Sequence, residues 1–173
     1  MAKKADSPAN AFSIGQHVVY PAHGVGTVTG VEKQTVAGMD LEVFVVSFDQ
    51  DKMVLRVPTN RAEASGMRAL AGAKLVDDAL KTLGGRARIK RTMWSRRAQE
   101  YEAKINSGDL ISIAEVVRDL HRGADQPEQS YSERQLYESA LDRMARELAA
   151  VESIDKGAAM DMLAESLAKK KAA

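Results

Sequence analysis

Leu41-Glu42-Val43-Phe44-Val45-Val46-Ser47-Phe48 is the stretch that decides how the first third of the chain folds. In an extended strand successive side chains point to opposite faces. One face here carries Leu41, Val43, Val45 and Ser47, and the other Glu42, Phe44, Val46 and Phe48. Both faces are largely apolar, which predicts a central strand with sheet neighbours on each side. Working outward, Gln16–Tyr20, Gly26–Gln34 and Met53–Val57 have the same strand-like composition. The turn sequences Pro21-Ala22-His23-Gly24, Ala37-Gly38-Met39-Asp40 and Asp49-Gln50-Asp51-Lys52 separate them. Pro58 closes the fourth strand, and Thr59–Ser65 can form one or two helical turns before Gly66. Four or five short antiparallel strands in about 55 residues predict a small, strongly bent β-barrel.

After Gly72 the apolar period changes from two to that of a helix. Lys74–Leu83 stops at Gly84-Gly85, and Thr92–Ser107 places Trp94, Ala98, Tyr101 and Ile105 on one stripe before Gly108. Ile111–Arg122 follows, with Ile113, Ala114, Val117 and Leu120 at helical spacing. Ser130 and Glu133 stand in capping-box spacing at the head of a fourth helix that runs to Val151. A fifth covers Asp155–Ala168. The expected fold is therefore α+β, a small bent β-barrel followed by an all-helical domain of about five helices. The expected divisions are a disordered lead-in over 1–12, a β domain over 13–70, a helical domain over 71–168 and a tail over 169–173. The two final alanines of that tail, Ala172 and Ala173, resemble bacterial C-terminal degradation signals.

The charge is unevenly spread. The 173 residues hold 25 Lys and Arg against 24 Asp and Glu, a net charge of +1. Residues 81–104, however, carry eight basic side chains and two acidic ones. A window of +6 in an otherwise nearly neutral chain is the first functional clue. The absence of cysteine excludes disulfides, thiolate metal sites and a cysteine nucleophile. The longest apolar run near a strand, Val43–Val46, is far short of the ~20 residues of a membrane helix. Polar residues occupy the N-terminal stretch where a signal peptide has its apolar core, so a cytoplasmic location is expected.

Neither the glycines nor the histidines form a recognisable site. Gly24, Gly26 and Gly30 are spaced one residue too widely for a dinucleotide fingerprint and lead into a strand, so they read as turns and a bulge. His17, His23 and His121 lack metal-ligand spacing, and there is no nucleophile elbow. No catalytic residue, metal or cofactor is expected. The basic window is different. Arg88, Lys90, Arg91, Arg96 and Arg97 flank the lone Trp94 at a helix start. This is either a solvated cationic loop whose tryptophan belongs to the core, or a phosphate-binding surface with an aromatic that meets bases.

Two sets of residues carry a resemblance to a known family. Gly15, Val18-Val19-Tyr20-Pro21-Ala22-His23-Gly24-Val25-Gly26 and Leu55-Arg56-Val57-Pro58 resemble the RNA polymerase-interacting domain of the CarD/CdnL family. A similar domain occurs in the bacterial transcription-repair coupling factor. Trp94-Ser95-Arg96-Arg97, Ser107-Gly108-Asp109 and Ala114–Leu120 resemble the helical C-terminal domain of that family.

The resemblance implies a Tudor-like β module that holds the β subunit of RNA polymerase. It also implies a helical domain that meets promoter DNA at the upstream edge of the transcription bubble and stabilises the open complex. By position, Arg56 matches a polymerase-contacting basic residue, and Val36 lies in the neighbouring edge-strand contact. Gln34 occupies a position where some relatives carry a polymerase-contacting Arg, and Gln99 one where some carry Lys. Trp94 matches a tryptophan that wedges into the minor groove, an assignment that predicts a substantially exposed ring. Arg96 sits with it against the DNA backbone, and Arg134 matches a further DNA-contacting position. Arg88, Lys90, Arg91 and Arg97 complete the expected DNA-binding set. The expected protein is a monomer with no membrane partner. A protein–protein adaptor without DNA contact is the alternative.

Overall fold

The computed structural model describes residues 12–49, 51–123 and 126–169. The expected lead-in through Ala11 and the alanine pair at the end of the tail lie outside them. The chain divides into two compact units with a boundary between Leu70 and Ala71, each with its own core.

The first unit is a five-stranded antiparallel sheet of order β4-β3-β2-β1-β5. Its strands are β1 (His17–Tyr20), β2 (Gly24–Val36), β3 (Met39–Phe48), β4 (Met53–Pro58) and β5 (Arg68–Ala69). As its two apolar faces predict, β3 is internal, paired with β2 on one side and β4 on the other. Phe44, Val46 and Phe48 point inward, where they meet Val18, Val28 and Val57. Phe12, assigned from sequence to the end of the lead-in, is buried in this core, with its ring edge-on to Phe44 at 5.7 Å. The segment after Pro58 is a series of turns rather than a regular helix.

The three glycines do structural work, each differently. Gly24 turns the chain at φ +80°. Gly30 follows a register shift between Val28 and Gly30, where a bulge bends β2. Gly26 lies under Phe48 and Val46, and a Cβ there would sit 2.8 Å from each side chain.

The second unit contains α1 (Ala73–Leu83), α2 (Trp94–Asn106), α3 (Leu110–Leu120), α4 (Tyr131–Glu152) and α5 (Lys156–Ala168). The central helix is α3, packed against α1, α2 and α4 and buried over most of its length. At its start the Asp109 carboxylate caps the helix, accepting from the Ser112 amide at 3.1 Å. Half of the expected capping box forms at α4. The Ser130 hydroxyl accepts from the Glu133 amide, but the Glu133 carboxylate turns to Arg122 at 3.1 Å. No helix among the described residues is long and apolar enough to cross a membrane.

Gly26→Ala is expected to lower stability by about 1–3 kcal/mol through overpacking against Phe48 and Val46, measured by urea denaturation.

Candidate functional site

The first candidate surface is the outer face of the β unit. Residues directly opposite in an antiparallel pair share a face. The register places Val36 opposite Met39, Gln34 opposite Leu41, Glu32 opposite Val43 and Gly30 opposite Val45. On the other side of β3, Val45 stands opposite Arg56 and Ser47 opposite Val54. Arg56, Gln34 and Val36 therefore lie on one face, the one turned away from Phe44 and Val46.

An ion pair organises this face. Arg56 Nε lies 3.3 Å from Glu32 Oε2. The two residues belong to β4 and β2, with β3 between them, so the pair spans the outer face of β3 beside Val43 and Val45. Those valines are only 3% and 9% exposed. In register Glu32 stands opposite Val43 and Arg56 opposite Val45, so the pair borders both valines. Beyond this strap Val36, Met39 and Val54 are exposed apolar side chains. The β1 ladder reaches only Thr27, and among the described residues β2 from Gly30 to Val36 pairs with β3 alone. That half of β2 offers a free sheet edge.

The second candidate surface surrounds the start of α2. Gly84 ends α1, and the chain runs without regular structure until Met93. Its course is set by Asp119, 3% exposed near the end of α3. The Asp119 carboxylate accepts from Arg118 Nε at 2.9 Å and from the backbone amide of Arg88 at 3.0 Å. With that one backbone point held, Arg88, Lys90 and Arg91 project outward, exposed, and Arg96 is exposed on the first turn of α2. Lys90 makes a solvated pair with Glu100. Arg91 and Arg96 line an open groove of 540 Å³ together with Thr92, Met93, Ser95 and Gln99.

Trp94 and Arg97 have a different setting from the other cations. The ring of Trp94 is half-buried, packed on the helical core and 6.3 Å from Tyr101. The guanidinium of Arg97 lies 5.4 Å from the Trp94 ring and 5.8 Å from that of Tyr101, and donates to the Tyr101 hydroxyl at 3.4 Å. Arg97 thus braces the tryptophan by cation–π contact. The substantially exposed ring expected of a wedge is replaced by one held on one side.

Arg134 lies elsewhere. It is exposed on α4 and lines a hollow of 340 Å³ with His121, Arg122, Gly123 and Tyr137. His121 Nδ1 and the Tyr137 hydroxyl are 3.0 Å apart, and burial raises the pKa of that hydroxyl. Sequence reasoning missed Glu32, Asp119 and Tyr101. Tyr101 left a signal in its place on the α2 stripe and Asp119 in the Ala114–Leu120 stretch; the contacts of Glu32 with Arg56 and of Asp119 with Arg88 are distant in the chain.

Comparison with known proteins shows the following similarities. Residues 12–71 match the family described as CarD-like/TRCF RID domain, and residues 78–164 match the family described as CarD, C-terminal domain. YdeB of Bacillus subtilis (strain 168), named as a candidate transcription factor, is 24% identical over 143 residues, 83% of this chain and 94% of that protein. The solution structure of the 72-residue N-terminal domain of Myxococcus xanthus CarD is 33% identical, covers 34% of this chain and 77% of that one, and gives a TM-score of 0.30.

Asp119→Ala is expected to cost about 3 kcal/mol, because it removes a charged partner from a buried guanidinium. It should also accelerate hydrogen exchange at the Arg88 amide, read by NMR, more than at the core of α3.

Proposed function

The chain belongs to the CarD-like family, which acts in transcription through interaction with RNA polymerase, and from that premise we propose a two-handed mode of action. The β unit holds the β subunit of the polymerase. The helical unit contacts promoter DNA at the upstream edge of the bubble and stabilises the open complex. The protein acts as a monomer in the cytoplasm and catalyses no reaction.

The observation that carries this reading is the cationic groove at the start of α2, with Arg91 and Arg96 in its wall and Trp94 beside it. Exposed Arg and Lys neutralise phosphates without reading sequence, whereas an apolar side chain exploits a base step that is already parting. Three to five phosphate contacts alone give weak, salt-sensitive binding. Attachment to polymerase raises the local concentration at the promoter, so selectivity follows from where polymerase sits. A preference of about 1–2 kcal/mol for the open over the closed state shifts their ratio roughly 5- to 30-fold.

The outer β face supports the other half of the proposal. It combines exposed Val36, Met39 and Val54 with Arg56 and with the free edge of β2, a combination suited to strand addition by a protein partner. Arg56 is already paired with Glu32, so a carboxylate of the partner must compete with an exposed intramolecular pair. Such a pair is worth about 0.2–1 kcal/mol, and the exchange is cheap.

Arg56→Glu is expected to leave the protein folded and to weaken polymerase binding in a pull-down. The swapped pair Glu32→Arg with Arg56→Glu separates two roles for Arg56. It restores the strap over Val43 and Val45 but not the positive charge at position 56, so polymerase binding should stay weak. Recovery in the swapped protein would reduce Arg56 to a cover for the valines.

Open-complex lifetime tests the DNA half. The full-length protein should prolong it and extend the upstream footprint. Trp94→Ala should cost about 1–2 kcal/mol of stability, as befits a half-buried ring. It should also shorten the lifetime without changing polymerase binding. No footprint extension by the unmodified protein would favour the adaptor without DNA contact.

A further inference from the structure

Met93 breaks a local rule. It is the N-cap of α2, with φ −56° and ψ 144°, and its side chain accepts no backbone hydrogen bond. Three other helices place a side-chain acceptor at this position: Asp109 for α3, Ser130 for α4 and Asp155 for α5. Apolar residues are poor N-caps because they leave the first amides of the helix without an acceptor. A methionine here therefore weakens the helix start relative to serine or aspartate.

Packing does not account for it either. Met93 is 78% exposed, more than any other large apolar side chain among the described residues. A buried methionine fills a core gap; this one fills none. Its backbone, in contrast, is firmly placed, since its carbonyl accepts from the amides of both Arg96 and Arg97 at 3.1 Å. The result is a flexible apolar side chain on a fixed base.

The surroundings define what it can meet. Met93 lines the groove with Arg91, Thr92, Ser95, Arg96 and Gln99, while the ring of Trp94 packs against Arg97 and Tyr101. The partner complementary to that groove is polyanionic at its rim and offers apolar surface between its charges. A duplex has this character at a parting base step, where phosphates flank exposed base faces. Methionine is among the side chains that insert at such steps.

We propose that Met93 is a second DNA-contacting residue of the wedge, which seats its side chain against the opened base step at the upstream bubble edge while Arg91 and Arg96 hold the flanking phosphates. The proposal rests on the function inferred above and adds a residue to its site. Trp94 supplies the rigid, braced half of the wedge and Met93 the adaptable half.

The experiment compares the full-length protein with Met93→Ser and Met93→Leu on one promoter with purified polymerase. Serine improves the cap and removes the apolar reach, so Met93→Ser should have a Tm unchanged or raised by about 2–4 °C. The same protein should lose the prolongation of open-complex lifetime roughly 3- to 10-fold, as expected for losing about half of a methionine's apolar burial. Polymerase capture should be unchanged, and Met93→Leu should behave as the unmodified protein.

A lowered Tm for Met93→Ser would make Met93 a structural residue and overturn the proposal. So would a full lifetime effect in Met93→Ser, and in that case the general reading would stand, because the unmodified protein still prolongs the complex. If the unmodified protein itself has no effect on lifetime, the general reading fails and this one falls with it.

Discussion

Asp119 is a carboxylate with two obligations, one to the guanidinium of its neighbour Arg118 and one to the backbone of Arg88, thirty-one positions earlier. A buried carboxylate must have partners, because desolvation without them is costly. Satisfying it with a loop amide converts that electrostatic requirement into a position for the loop. The segment from Gly84 to Met93 has no ladder or helix of its own. Its strongly like-charged side chains would otherwise favour an extended, mobile course. Held at Arg88, the segment delivers Lys90 and Arg91 beside the first turn of α2. Those cations stay exposed, and the loop that carries them is tied to a buried charge.

The same economy of cover governs the β unit. A strand with two apolar faces in a five-stranded sheet has only one core to fill. The inner face of β3 takes it, and on the outer face the Arg56–Glu32 pair lies beside Val43 and Val45. An exposed ion pair contributes little to stability. This pair lies on the face that carries Val36, Met39 and Val54.

At the start of α2 the two demands diverge. The helix begins with a methionine cap and two arginines, against both capping preference and the helix dipole. Local inconsistency of this kind is expected where a site is built, since the groups that would make the best helix start are not the groups that meet an anionic ligand. Tertiary packing compensates. Tyr101 and Ile105 bury the far end of α2, and Arg97 is spent on bracing Trp94 rather than left in solvent.

Element type and order were legible in the sequence because apolar period is a local property. Alternation along Leu41–Phe48, the change of period after Gly72 and the stops at Gly84 and Gly108 together determined a β module followed by five helices. The cationic window was equally plain, since charge needs only counting. The fate of each charge was not legible. Arg97 and Arg96 are adjacent and chemically identical, yet one lies against two rings and the other is exposed on the groove wall. Arg88 is held through its amide, and Met93 rather than Trp94 carries the most exposed apolar surface of the cluster. These outcomes depend on Asp119, Tyr101 and the direction of a helix start, which are distant in the chain or fixed only by packing. The sequence by itself therefore determined which residues form the helix start and its charge. Only the tertiary structure decided which of them are exposed, because that choice is made by burial, and burial is a property of the assembled core.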